Sequence, residues 1–228
     1  MKFYPTLNNH KTTIIFLPGF RKNHNDFNIT EHGKKISIES TISILCNTIL
    51  VNIDENDYKK SVPQLAEEIY QEIVNCHMLE TKLIIVAHSL GSFCALYLCE
   101  TYPNIFGKIF LIDPAIKSST YHTQLIADAK DKLDDTVEYA NLQNYKYLSD
   151  GLSLHNKIIV RIHININTKK MISDPALCLE EISYLETVNK ITNKNTKSRL
   201  VVHANVSHMI HYKMPGAIID AIRELVLA

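Results

Sequence analysis

The sequence has no tryptophan, and only six glycines and seven prolines among 228 residues. That excludes collagen-like and low-complexity chains. It also has no excess of either charge. Lys and Arg number 24, Asp and Glu 24, so the formal net charge is zero. A neutral chain lacks the field that draws proteins to nucleic acid or to an anionic membrane surface. The five cysteines, Cys46, Cys76, Cys94, Cys99 and Cys178, are odd in number and none is spaced C-x-x-C. This argues against a disulfide framework or a structural zinc site and favours a reducing compartment. Long apolar runs are missing too. The purest ones, Ile14–Leu17 and Leu83–Ala87, fall far short of the roughly 20 residues a spanning helix needs. The opening MKFYPTLNNH has no signal-peptide core. The expectation is a soluble, cytoplasmic protein with no nucleic-acid partner and no membrane span.

What is present is the composition of a globular domain, 46% hydrophobic and 21% charged, at a length suited to one domain. Six short apolar runs recur: Thr12–Leu17, Thr48–Ile53, Leu83–Ala87, Ile109–Ile112, Ile158–Ile164 and Leu200–Ala204. Such runs without polar alternation are the habit of parallel strands buried on both faces. Helical patterns lie between them. Ser61 and Gln64 form a capping-box signature ahead of Val62, Leu65, Ala66, Ile69 and Ile73, which share one helical face. Leu90–Tyr102 stops before Pro103, and Pro215–Leu227 is amphipathic. Alternating strands and helices predict an α/β fold, a compact, mostly parallel, doubly wound sheet. The segment from Pro114 to Asn156 breaks the alternation and carries a helical pattern of its own at Leu125, Ala129, Leu133 and Val137. It reads as a small helical insertion capping the site. Phe20–Glu31 is polar and reads as a surface loop.

The strongest chemical signal is Val86-Ala87-His88-Ser89-Leu90-Gly91, which leaves a buried strand and opens a helix. A serine on so tight a turn needs small residues two before and two after it, and Ala87 and Gly91 provide them. There its hydroxyl stands at a helix N-terminus, where free N–H groups favour developing negative charge. The N–H of Phe20, in the glycine turn after the first run, can pair with that of Leu90 as an oxyanion hole. His208, in the loop after the last run, can reach the serine across the sheet.

Together Ile15-Phe-Leu-Pro-Gly-Phe20, Val86-Ala-His-Ser-Leu-Gly91, Ile109-Phe-Leu-Ile-Asp-Pro-Ala115 and Ser207-His-Met-Ile-His-Tyr-Lys-Met-Pro215 resemble the α/β-hydrolase superfamily over nearly the whole chain. The resemblance implies Ser89 as nucleophile, His208 as general base and acid, and Phe20 and Leu90 as oxyanion donors. It also implies a cap before the fifth strand, and it needs no cofactor or metal. With about eleven residues ahead of the first run, the two leading strands of larger members are expected to be missing. The triad acid stays open. Asp113 follows the fourth run, as in some lipases of the superfamily. Asn167 stands where the acid usually falls, and Asp174 lies just beyond, although Asp174-Pro175 also reads as a helix cap. Asp113 is the choice carried forward.

The expected activity is hydrolysis of a carboxylic ester or thioester through an acyl-enzyme. C–C hydrolysis or acyl transfer on the same residues, and a catalytically silent ligand- or partner-binding protein, are the rivals. A serine at the elbow argues against dehalogenases and epoxide hydrolases, whose nucleophile is aspartate, and the missing tryptophan removes the halide-binding residue of the former. His88 is expected to pack near the site. His211, three residues after His208, offers an H-x-x-H metal pair that the loop context disfavours. His10, His24 and His32 read as surface residues, and Tyr121, Tyr139, Tyr145 and Tyr147 as packing within the insertion.

Overall fold

The computed structural model describes residues 1–19, 22–31, 34–54, 56–116 and 154–227. The strands are β1 (Lys2–Thr6), β2 (Thr12–Leu17), β3 (Asn28–Glu31), β4 (Lys34–Ser37), β5 (Asn47–Asn52), β6 (Lys82–His88), β7 (Phe106–Ile112), β8 (Ile159–Ile166) and β9 (Arg199–Ala204). The helices are α1 (Ile38–Ile42), α2 (Val62–Asn75), α3 (Gly91–Thr101), α4 (Thr168–Ser173), α5 (Pro175–Thr192), α6 (Ile210–Lys213) and α7 (Pro215–Leu227). Seven strands form one sheet in the order β1-β5-β2-β6-β7-β8-β9, and β3 and β4 form a separate hairpin. Every pairing in the large sheet is parallel except β1 with β5.

The period of two along the strands explains the double winding. Ile15 and Leu17, Ile85 and Ala87, Ile109 and Leu111 turn to one face. There they meet Leu65, Ile69 and Ile73 of α2, Phe93 and Leu98 of α3, and Tyr184 and Val188 of α5. Ile14 and Phe16, Ile84 and Val86, Phe110 and Ile112 turn to the other face, against α1 and the Ile218, Ile222 and Leu225 stripe of α7. A strand flanked by two apolar layers has no need of polar alternation. The start of α2 carries the expected capping box, with Ser61 and Gln64 satisfying each other's backbone N–H groups, worth about 1 kcal/mol.

Three expectations are corrected. The residues ahead of the first run are not strandless, because Lys2–Thr6 pairs antiparallel to β5 at the sheet edge. Pro5, which cannot donate to a ladder, is tolerated on an edge strand. The sixth run is not buried on both faces. β9 is the opposite edge, with Val201 36% and Val202 49% exposed. The Phe20–Glu31 stretch is not only a surface loop. A 3₁₀ turn at His24–Phe27, capped by Asn23, buries both Asp26 and Phe27, and the Phe27 ring lies 4.9 Å from that of Phe16. His24 is half-buried and stacks on Tyr4, centroid to centroid 4.2 Å.

Residues 117–153 of the expected cap, including its tyrosines and helical pattern, lie outside the described residues, as do Phe20 and His32. Both ends of the segment are anchored in the core, since Ile116 and Leu154 are buried in the same cluster. Among the described residues no helix is long and apolar enough to cross a membrane. All five cysteines are free thiols. Burial pushes the Cys94 thiol up to about 12 and raises that of Cys99 further still, so both act as apolar packing.

Candidate active site

Two adjacent strands end alike. β6 gives way to Ser89 with φ 48°, and β7 gives way to Asp113 with φ 41°. Both are left-handed conformations that L-residues avoid. Both are held there by the sheet, because each N–H makes one more ladder-like bond to the next strand. Ser89 N–H donates to the Ile112 carbonyl at 3.0 Å and Asp113 N–H to the His163 carbonyl at 2.7 Å. Asn205, just after β9, repeats the pattern with φ 57° and an N–H bond to the Ile166 carbonyl. The strand ends thus aim short polar side chains at the carboxyl edge of the sheet.

The tight turn at Ser89 depends on Gly91. A Cβ there would stand 2.7 Å from both the Leu17 and Pro18 carbonyl oxygens, so only glycine lets α3 approach the end of β2. Leu90 opens α3, and its N–H has no backbone partner among the described residues.

His208 lies between the two strand ends. Its Nδ1 is 2.7 Å from Asp113 Oδ2 and its Nε2 is 2.8 Å from Ser89 Oγ. A carboxylate opposite Nδ1 requires the proton on that nitrogen. Nε2 is then bare and accepts from the serine hydroxyl. The His208 side chain is 53% exposed, whereas that of Asp113 is 10% exposed. The other oxygen of Asp113 accepts from Asn165 N–H at 2.9 Å. The Asn165 side chain in turn accepts from Val206 N–H at 2.8 Å, tying β8 to the loop that carries His208.

Of the three sequence candidates for the acid, only Asp113 is bonded to His208. Asp174 caps α5, accepting from Ala176 and Leu177 N–H. Asn167 caps α4, accepting from Lys170 N–H. His211 does not pair with His208. It is fully buried on α6 and faces Asp26, 3.4 Å from Nε2 to Oδ1.

Sequence reasoning missed Asp26. Its Oδ2 accepts from Gly19 N–H at 3.0 Å and from His88 Nδ1 at 2.9 Å, while Oδ1 accepts from the Tyr212 hydroxyl at 3.2 Å as well as from His211. Burial alone would raise its pKa, but the bonds from His211 and His88 outweigh it and hold the carboxyl far below its ordinary range. Burial lowers the pKa of His88 despite its bond to Asp26, so this ring is neutral with its proton on Nδ1. The signal available in the sequence was Asp26-Phe27, one apolar aromatic beside one acid in an otherwise polar loop. His88 packs beside the site as expected, its ring 4.9 Å from that of His208.

No protein-family model matches the chain, and no curated protein matches it in sequence. Solved structures do match in shape. A structure from a study of carboxylesterases of the thaumarchaeon Nitrososphaera gargenis superposes with a TM-score of 0.66 at 10% identity, covering 99% of this chain and 93% of that one. An esterase from Exiguobacterium antarcticum gives 0.64 at 15% identity over 99% and 96% of the two chains. The enol-lactonase from Burkholderia xenovorans LB400 gives 0.63 at 9% over 100% and 96%. The chain has the α/β-hydrolase fold. Within that fold, Ser89 occupies the turn between a central strand and its helix, and His208 the loop after the last strand.

Proposed function

We propose that the protein is a serine hydrolase that cleaves a carboxylic ester or thioester through an acyl-enzyme on Ser89. The observation that carries this reading is the unbroken chain Ser89 Oγ, His208 Nε2, His208 Nδ1, Asp113 Oδ2, with contacts of 2.8 and 2.7 Å. The fold shared with esterases and an enol-lactonase supports it.

In the first step Ser89 Oγ attacks the carbonyl carbon and its proton passes to His208 Nε2. The imidazolium so formed is oriented and balanced by Asp113. The carbonyl oxygen becomes an oxyanion facing the N–H of Leu90, with the N–H of Phe20 as the second donor; each such donor is worth about 10²–10³ in rate. His208 then returns the proton to the leaving alcohol or thiol. Water attacks the acyl-enzyme with His208 again taking the proton, and the acid is released as Ser89 is restored. Every group the reaction uses is a residue named here or water.

Hydrolysis of p-nitrophenyl acetate, butyrate and octanoate, with matching acyl thioesters, tests this. Turnover that vanishes in Ser89→Ala supports the reading. Equal turnover in wild type and Ser89→Ala contradicts it, and ligand or partner binding becomes the leading account.

A further inference from the structure

We propose that Asp26 is a positioning residue for this reaction, the anchor that holds the three backbone segments of the site in register. The inference rests on the serine-hydrolase reading above and extends it to a residue that touches neither Ser89 nor the ring of His208.

Three segments converge on the site from distant parts of the chain: the turn after β2, the elbow after β6, and the stretch from His208 into α6. Asp26 is bonded to each of them. Gly19 N–H belongs to the first, His88 Nδ1 to the second, and His211 Nε2 with the Tyr212 hydroxyl to the third. Four donors on one carboxylate, whose side chain is fully buried, make a network that cannot shift without leaving a buried polar group unsatisfied.

The contacts pass directly to the reacting groups. His88 immediately precedes Ser89. With its Nδ1 proton held by Asp26, its ring packs 4.9 Å from that of His208. The ring also sets the position of the β2 turn, because a Cβ on Gly19 would lie 2.7 Å from His88 Nδ1 and 3.3 Å from Ser89 Cβ. Gly19 N–H, turned toward Asp26, is not aimed at substrate. It fixes the Pro18–Gly19 peptide at the end of β2. The ligand atoms of Asp26, His88 and His211 also lie within 4.8 Å of one another. Both oxygens of Asp26 already accept two hydrogen bonds, which accounts for the cluster without a cation.

An anchor of this kind acts on the transition state rather than on substrate affinity, since a displacement of about 1 Å can cost about 10²-fold in rate. The test is made on the full chain with Asp26→Asn and Tyr212→Phe. It reads kcat and KM on p-nitrophenyl butyrate, the rate of Ser89 labelling by a fluorophosphonate, and Tm. Asp26→Asn is expected to lower kcat and the labelling rate together by about 10–100-fold, with KM changed less than about threefold. Tyr212→Phe removes one of the four donors and is expected to give a smaller loss, about threefold, in the same two rates. If Asp26→Asn does not fold, Tyr212→Phe decides alone, since it deletes a single hydroxyl from a half-buried ring. A fall in Tm with kcat and labelling unchanged in the folded variants makes Asp26 a purely structural acid and overturns the proposal. Wild type that neither labels nor turns over overturns the serine-hydrolase reading itself, a result visible before any variant is made.

Discussion

Among the described residues two carboxylate–histidine pairs stand side by side, and their surroundings are opposite. Asp113 and His208 meet at 2.7 Å, Asp26 and His88 at 2.9 Å, both through Nδ1, with the two rings 4.9 Å apart. The difference lies in what the far nitrogen faces and in access to water. His208 Nε2 faces a serine hydroxyl, and its side chain is half exposed. His88 Nε2 faces a backbone carbonyl, and its side chain is 2% exposed. In the proposed reaction the first pair cycles a proton between serine, substrate and water. The second has nowhere to send one, and its carboxylate is saturated by backbone and side-chain donors. Chemistry at such a pair is set by the groups around it more than by the pair.

Breaking the first pair has the largest expected effect. Asp113→Asn leaves a neutral partner that no longer fixes the His208 tautomer, and kcat falls by about 10³–10⁴-fold. Ester turnover by the purified variant measures this, and a loss under tenfold would show that His208 does not depend on Asp113.

Breaking the second pair acts on stability as well as rate. Asp26→Asn leaves buried donors without an anion and is expected to cost about 3 kcal/mol, lowering Tm by about 10 °C. The native Asp26 carboxyl is held below its ordinary 3.8. Its contribution is therefore present above about pH 4 and is lost as pH falls. Thermal melts from pH 7 to pH 3 should show an acid limb that flattens in Asp26→Asn.

A third histidine sharpens the contrast, because it is buried without a carboxylate. His163, on β8, has its pKa pushed down to about 4 by burial and by the neighbouring His203 and Arg161, and its Nδ1 lies 3.1 Å from His203 Nε2. The folded state keeps it neutral while the unfolded state protonates near 6.5, so stability is full above that pH and is lost as pH falls toward 4. Denaturant midpoints at pH 7 and pH 5 should differ by less in His163→Gln than in wild type.

How much of this was legible in the sequence follows from burial. Runs such as Ile14–Leu17 and Leu83–Ala87 sit between two apolar layers, and their composition alone identifies them as strands. β1 is an exposed edge ribbon with Pro5 in it and carries no such signature. The Leu200–Ala204 run looks as apolar as the central strands, and only the strand order makes it an edge. Ser89 and His208 could be placed because local turn chemistry marks them. The acid could not, because Asp113, Asn167 and Asp174 all lie near strand ends and only tertiary geometry decides among them. Asp26 was invisible because its four partners lie at positions 19, 88, 211 and 212. The capping role read for Asp174 in the sequence is the one it has.

That last role supplies the smallest effect. Asp174→Ala should cost about 1 kcal/mol as a lost helix cap and leave kcat unchanged, measured by denaturant unfolding beside ester turnover. A large activity loss at constant stability would instead make Asp174 part of the site.

The most direct test of the central claim is fluorophosphonate labelling of wild type, Ser89→Ala, His208→Ala and His88→Ala. The account predicts rapid labelling of wild type, none in Ser89→Ala, and loss by about 10³-fold or more in His208→Ala, with His88→Ala slowed but still labelled. Undiminished labelling of His208→Ala, or failure of folded wild type to label at all, would contradict it.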